Sequence, residues 1–276
     1  MNSFVNTWRL IESKPAPGAW NMAIDEAILE AAGRGDVQPT LRLYAWSPPC
    51  LSLGYAQTIA DLDATRLQTY GWDVVRRPTG GKAILHTDEL TYAVIGPVHE
   101  PRLAGSVLES YQRLSNVLLR ALDLLGIPAT SDEKIPGNAS PGDNNPVCFE
   151  IPSNYEITFQ GRKLIGSAQA RRKDSVLQHG SLPLYGDLSR IVQALNFQSE
   201  VSRQAAAKRL LERATTVESI LGHPVEWETV RDAFILAFEH TLDICFHIDG
   251  LTTFELERAA QLVEQKYAHP TWTERV

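Results

Sequence analysis

Apolar residues recur along this chain in two periods, and the switches between them mark out its elements. Between residues 21 and 32, Met22, Ile24, Ala27, Ile28 and Ala31 return at helical spacing, with Asn21 placed to cap the first turn. Gly33 and Gly35 end that helix. Short apolar segments rich in β-formers and bounded by turns predict strands over 8–12, 40–45, 50–54, 73–77, 83–86 and 90–95. Residues 106–125 form a long amphipathic helix stopped by Gly126 and Pro128. Residues 155–159 and 162–168 read as a hairpin turning at Gln160-Gly161, and 176–184 as a further strand. Beyond residue 187 the helical period takes over, at 187–195, 199–212, 216–221, 226–241 and 252–267. The order implies an α/β (α+β) fold: a mixed, mostly antiparallel sheet with flanking helices and a helical C-terminal region.

One stretch has neither period. Residues 128–147 are crowded with Pro, Gly, Asn, Asp and Ser and lead directly into Cys148. A loop of this length inside a compact domain is as a rule functional or disordered.

Composition narrows the classes. With 43% hydrophobic and 21% charged residues, the 276-residue chain can build a sizeable core, which excludes a disordered or fibrous protein. A net charge of −7 argues against a protein built to hold nucleic acid. Three cysteines, Cys50, Cys148 and Cys245, are too few and too odd for a disulfide framework and suit a reducing cytoplasm. No His/Cys spacing suggests a metal site. The N-terminal segment lacks a signal-peptide pattern, and no apolar run is long enough for a membrane span.

Four constellations could carry chemistry. In Arg76-Arg77-Pro78-Thr79-Gly80-Gly81-Lys82, two glycines after a strand let backbone approach a ligand, and two arginines could hold a carboxylate or phosphate. A plain Gly-Gly turn with solvated arginines is the other reading. Strand alternation over 162–168 puts Lys163, Ile165 and Ser167 on one face. An inward lysine there could bind an acyl carbonyl or lower a thiol's pKa, whereas an outward one would merely protect a sheet edge. Such a lysine does not pack the core, so its removal should spare the fold. Cys50 and Cys245 lie in apolar runs and fit inert packing, while the polar approach to Cys148 makes it the candidate nucleophile. His86 and His179 are candidate general bases or satisfied core histidines.

Taken together, RRPTGGKAILH, GRKLIGSAQARR and LQHGSLPL resemble the biotin/lipoate protein ligase and octanoyltransferase superfamily, from about residue 8 to the closing KYAHPTWTERV. Within it the chain is most similar to the LipM-type octanoyltransferases, because Cys148 stands fifteen positions before Lys163. LipB-type transferases carry their cysteine after the lysine strand, where this chain has none between Gly166 and Ile244, and ligases of the same fold need no cysteine. Two departures stand at the pocket rim: His86-Thr87-Asp88 replaces the usual His-Asp, and Lys82 stands where Arg or Gly is common.

The resemblance implies a class II synthetase-like catalytic domain over 1–214 with a C-terminal helical extension, 215–276, packed on it. It implies Cys148 as acyl nucleophile and Lys163 as its activator. Substrate would be bound by Arg76, Arg77, Gly80, Gly81, His86, Gly166, Ser167, Ala168, Gln169, His179 and Gly180. Backbone around Ser167 and Ala168 would serve as the oxyanion site. The donor would be octanoyl-acyl carrier protein, and the acceptor the lipoyl domain of an H protein or a 2-oxoacid dehydrogenase E2 subunit. No cofactor, metal, nucleic acid or membrane is implied. Arg171-Arg172-Lys173 would offer a basic rim to acidic partners, or form an ordinary solvated turn. An ATP-dependent lipoate–protein ligase, an octanoyl-H-protein:E2 amidotransferase and a non-catalytic binding module of the same fold stay open as alternatives.

Overall fold

Leu41 and Leu43 point to one side of their strand, Arg42 and Tyr44 to the other, and all four are buried. A strand apolar on one face and packed on the other belongs to a sheet covered on both sides. The computed structural model, which describes residues 6–132 and 156–276, has that sheet at its centre. Cys148 and most of the 128–147 loop lie outside the described residues.

The first half of the chain runs β1 (Thr7–Glu12), α1 (Gly18–Arg34), β2 (Thr40–Tyr44), β3 (Cys50–Leu53), α2 (Ala64–Tyr70), β4 (Asp73–Arg76), β5 (Ile84–His86), β6 (Glu89–Pro97), α3 (Val107–Leu124) and β7 (Thr130–Asp132). The second runs β8 (Glu156–Phe159), β9 (Arg162–Arg171), β10 (Ser175–Pro183), α4 (Glu200–Arg213), α5 (Val217–Leu221), α6 (Trp227–Leu242), β11 (Cys245–Ile248), α7 (Thr253–Leu262) and α8 (Pro270–Thr273). Eight strands form the large sheet in the order β11-β1-β2-β6-β10-β9-β8-β7. Its β1 is parallel to both neighbours, and every other pair is antiparallel. A small sheet, β4-β3-β5, stands beside it. Helices α3 and α6 cover one face of the large sheet, and α1 and α7 the other. The small sheet has its own apolar cluster with α4.

Local chemistry accounts for most boundaries. Ser106 and Glu109 form a capping box at the start of α3. Gln160 and Gly161 both take left-handed backbone, φ 50° and 75°, which closes β8 and β9 with a two-residue turn. The expected cap of α1 is corrected: the helix begins at Gly18, after Pro17, and Asn21 lies inside it. Its amide is committed to the carbonyls of Ala16 and Ala45. The C-terminal region is not helical throughout. Its β11 pairs with β1 and carries Cys245 to an exposed position, so this cysteine is not buried as the sequence suggested. The short helix α2 was also missed, being one face of a seven-residue segment in which only Leu67 is buried.

A buried ion pair fastens the C-terminal region to the sheet. Arg9 on β1 donates to both carboxylate oxygens of Glu255 at 2.9 and 2.5 Å, with side-chain exposures of 4% and 0%. Glu255 also closes the capping box of α7. Glu255→Ala leaves a buried guanidinium unpaired, and should cost about 3–5 kcal/mol in urea unfolding. A loss below about 1 kcal/mol would show that the pair does not anchor this region.

Candidate active site

A cavity of about 360 Å³ lies between the two sheets. The large sheet contributes Tyr44 from β2, Thr91 from β6, His179, Gly180 and Ser181 from β10, and Lys163, Gly166, Ser167 and Ala168 from β9. The small sheet contributes Ser52, Ile84 and His86. Loop residues Ala56, Gln57, Arg77, Gly80, Gly81 and Lys82 close it, with Trp46 and with Met22 of α1. The arginine-glycine loop, the lysine strand and the strand after it therefore meet around one space.

The Gly80-Gly81 loop is held from three sides. Arg77 donates to the carbonyls of Gly80 and Lys82 and to Ser52, so its guanidinium braces the loop. A Cβ on Gly54 would collide with the Gly81 carbonyl, so this glycine lets the loop lie directly on the end of β3. Thr79 hydrogen-bonds the Nε2 of His179 at 2.7 Å. Arg76, the neighbour of Arg77, points away, as alternation requires. It donates to the carbonyls of Gly54, Gln57, Trp272 and Thr273 and ties down the C-terminal segment. It does not line the cavity. Neither does Gln169, which is bonded to Ser110 and Gln178.

Both histidines sit between a carboxylate and a hydroxyl. His86 faces Glu89 through Nδ1 and Ser52 through Nε2, each at 2.7 Å, and stacks on Trp46 with ring centres 4.0 Å apart. His179 faces Asp25 through Nδ1 at 3.4 Å and Thr79 through Nε2. Each ring nitrogen is thus occupied within the protein, and neither imidazole turns a free nitrogen to a substrate. Of the two readings offered by the sequence, this geometry fits the satisfied core histidine.

Asp25 was missed by sequence reasoning, and it is the centre of the network. The Arg42 guanidinium reaches it at 2.6 Å, also takes the Asn21 amide oxygen at 2.8 Å, and Tyr44 donates to it at 3.0 Å. Burial opposes ionisation of Asp25, but Arg42 and then His179 outweigh it and hold the carboxyl below its usual value. Burial likewise opposes ionisation of Glu89, and His86, together with hydroxyl hydrogen bonds such as that from Thr91, holds it below its usual value. Burial pushes His179 below the ordinary imidazole value, against the pull of Asp25. The available signal was the four-residue spacing of Asn21 and Asp25 on one face of a mostly apolar helix.

Lys163 is 4% exposed and donates to Glu156 at 2.8 Å. Thr158 pairs with Lys163 across the hairpin, so Glu156, two residues back, shares its face. That register was readable from the turn, yet the partner was not foreseen; beyond Lys163 the pairing bulges, so Ile165 turns to the opposite, core face and the expected shared face of Lys163, Ile165 and Ser167 is corrected. An ammonium is tolerated inside when it is paired. This lysine is therefore no exposed edge residue, and its loss removes a charged partner from the buried Glu156.

Of the two described cysteines, neither lines the cavity. Cys50 is fully buried, and burial, with the charges of Asp73 and Glu89, pushes its thiol well above the usual value. The basic rim is largely spent. Arg171 donates to the carbonyls of Leu103 and Gly105, and Arg172 pairs with Glu26. Among the described residues no helix is long and apolar enough to cross a membrane.

The chain belongs to the lipoyl protein ligase A/B catalytic domain family, whose profile it matches over residues 17–239. It is similar to octanoyltransferase LipM of Symbiobacterium thermophilum, 41% identical over 97% of this chain and 98% of that protein. It is likewise similar to octanoyltransferase LipM of Kyrpidia tusciae, 40% identical over 98% and 100%. Among solved structures it is similar to a bipartite lipoate protein ligase of Thermoplasma acidophilum, with TM-score 0.81 and 26% identity, covering 97% and 96%. A lipoate-protein ligase A solved with ATP gives TM-score 0.79 and 26% identity, covering 97% and 98%.

The pKa directions set a pH dependence. His179 is depressed in the fold, so its contribution is present above the ordinary value of 6.5 and is lost as pH falls below it. Asp25 and Glu89 are depressed too, and their contributions fade only below their ordinary values of 3.8 and 4.5. Melting temperature should therefore drop between pH 7 and pH 5, and the slope should flatten in His179→Gln. Equal slopes in the two proteins would remove His179 as the cause.

Proposed function

We propose that this protein is an octanoyltransferase of lipoate biosynthesis. It takes octanoyl from octanoyl-acyl carrier protein onto Cys148 and passes it to a lysine of a lipoyl domain, on an H protein or an E2 subunit. The observation that carries the reading is the cavity itself: a mostly apolar space with a buried, carboxylate-held lysine in its wall.

The chemistry follows from the groups. The Cys148 thiolate attacks the donor thioester carbonyl, the carrier's thiolate leaves and takes up the proton, and an enzyme thioester remains. The acceptor ε-amine, in neutral form, attacks that thioester. An amide forms, Cys148 leaves as thiolate, and the proton lost by nitrogen returns to sulfur. The first step exchanges one thioester for another, and the second runs downhill to an amide, so ATP is not required. Free thiol and amine pKa values of about 8.5 and 10.4 leave both groups mostly protonated at neutral pH. A cation beside the thiol is therefore needed, and Lys163 supplies it, held at the cavity wall by Glu156. The same ammonium polarises the acyl carbonyl. Gly80, Gly81, Gly166, Ala168 and Gly180 shape the acyl site, His86 and His179 fix its walls, and Arg77 braces the loop above it. In the cytoplasm, where thiols stay reduced, Cys148 remains available.

Incubation with octanoyl-acyl carrier protein, without ATP or magnesium, should add one octanoyl group, removable by hydroxylamine. The adduct should vanish in Cys148→Ala and persist in Cys50→Ala and Cys245→Ala. An adduct surviving in Cys148→Ala would overturn the nucleophile. Strict dependence on ATP with free octanoate or lipoate would favour the ligase reading suggested by the ATP-bound structural relative.

A second measurement concerns Lys163. Alkylation of Cys148 by iodoacetamide should titrate below about 8.5 in the wild type and higher in Lys163→Met/Glu156→Gln, which removes both charges together. Lys163→Arg should restore the titration better than the rate. Coincident profiles for wild type and the double variant would exclude Lys163 as activator.

A further inference from the structure

The cavity has a direction, and the sheet order sets it. Lys163 stands on β9 and Tyr44 on β2, with β10 and β6 between them. Three inter-strand steps separate the two ends, about 14 Å across the sheet.

Side-chain size changes along that path. From β9 to β6 the residues that face the cavity floor are mostly small, Gly166, Ala168, Ser181 and Thr91, with the tethered His179 of β10 the exception. At β2 the floor meets a wall of three large side chains, Tyr44, Trp46 and Met22. Two of the three are pinned. The Tyr44 hydroxyl is bonded to Asp25, and the Arg42 guanidinium lies 3.9 Å from its ring centre. Trp46 donates to Thr91 at 2.8 Å and stacks on His86. Both line the cavity with their polar atoms already occupied. Met22 has no such tether. It is 1% exposed and held by the apolar cluster it shares with Ile11, Tyr44, Trp46 and Cys50. A methionine is also the most easily repacked of the three.

We infer that Met22 is the residue that sets the longest acyl chain this cavity accepts. The acyl carbonyl stays at Lys163, the chain crosses the small residues of β9, β10 and β6, and its methyl end stops against the Met22 thioether. The inference rests on the acyl-transfer reading above and adds a specificity determinant to it. Substrate length is then decided on α1, far in sequence from Lys163 and the Gly-Gly loop.

The test uses free saturated fatty acids of six, eight, ten and twelve carbons, titrated calorimetrically into the full chain, so that it needs neither carrier protein nor turnover. Wild type should bind octanoate most tightly. Met22→Ala should move the optimum to ten or twelve carbons, with each newly buried methylene tightening Kd about fourfold. Met22→Phe should move it to six, and Met22→Leu should leave it at eight. Should Met22→Ala not fold, the shift in Met22→Phe decides the matter alone. A length profile unchanged in Met22→Ala and Met22→Phe overturns the role of Met22 while leaving the acyl reading intact. Failure of wild type to bind any of the four acids overturns the acyl reading itself.

Discussion

The arrangement of this protein depends on one buried ion pair. Arg42 and Asp25 have no solvent exposure, so every remaining donor and acceptor on them must be met from within. Asn21 and Ser13 take the rest of the guanidinium, and Tyr44 and His179 take the second carboxylate oxygen. These demands tie α1 to β2 and to β10 at a single point. His179 extends the tie to Thr79, and with it to the loop that roofs the cavity. Such a pair is weak as a source of net stability, because desolvation offsets much of the attraction. Its effect is placement: it fixes the docking of α1 on the sheet, and that docking puts Met22 in the cavity wall.

The same logic explains why the cavity stays open. An interior of this size would ordinarily collapse around apolar side chains. Here the roof and the walls are braced by polar groups with little freedom to shift. Arg77 spans the loop carbonyls, Glu89 and Ser52 fix His86, and Glu156 fixes Lys163. The floor is made from residues too small to fill the space. The result is an apolar slot whose cation lies at one end and whose bulk lies at the other, which suits a chain with a reactive carbonyl and an inert tail.

Much of this was legible in the sequence, and the boundary follows physical range. Turn chemistry is local, so the Gln160-Gly161 hairpin and the capped helix at 106–125 are readable from a few residues. The strand order is not local: β11 joins β1 across more than two hundred residues, and nothing in four residues of which three are exposed announces it. Asn21 and Asp25 resemble solvent positions until the sheet is known to be covered on both faces. Arg76 and Arg77 look equivalent side by side, yet alternation sends one to the C-terminal segment and the other to the cavity roof. Lys163 was singled out from its strand, while Glu156 was passed over although the hairpin register already placed the two together.

The central claim is that an acyl chain lies across the sheet with its carbonyl at Lys163 and its tail at α1. Crystals soaked with 8-bromooctanoate and measured at the bromine absorption edge test it directly. The account predicts one anomalous peak between Tyr44, Trp46 and Met22, with the carboxylate beside Lys163. A bromine beside Lys163, or one bound outside the cavity, would contradict it.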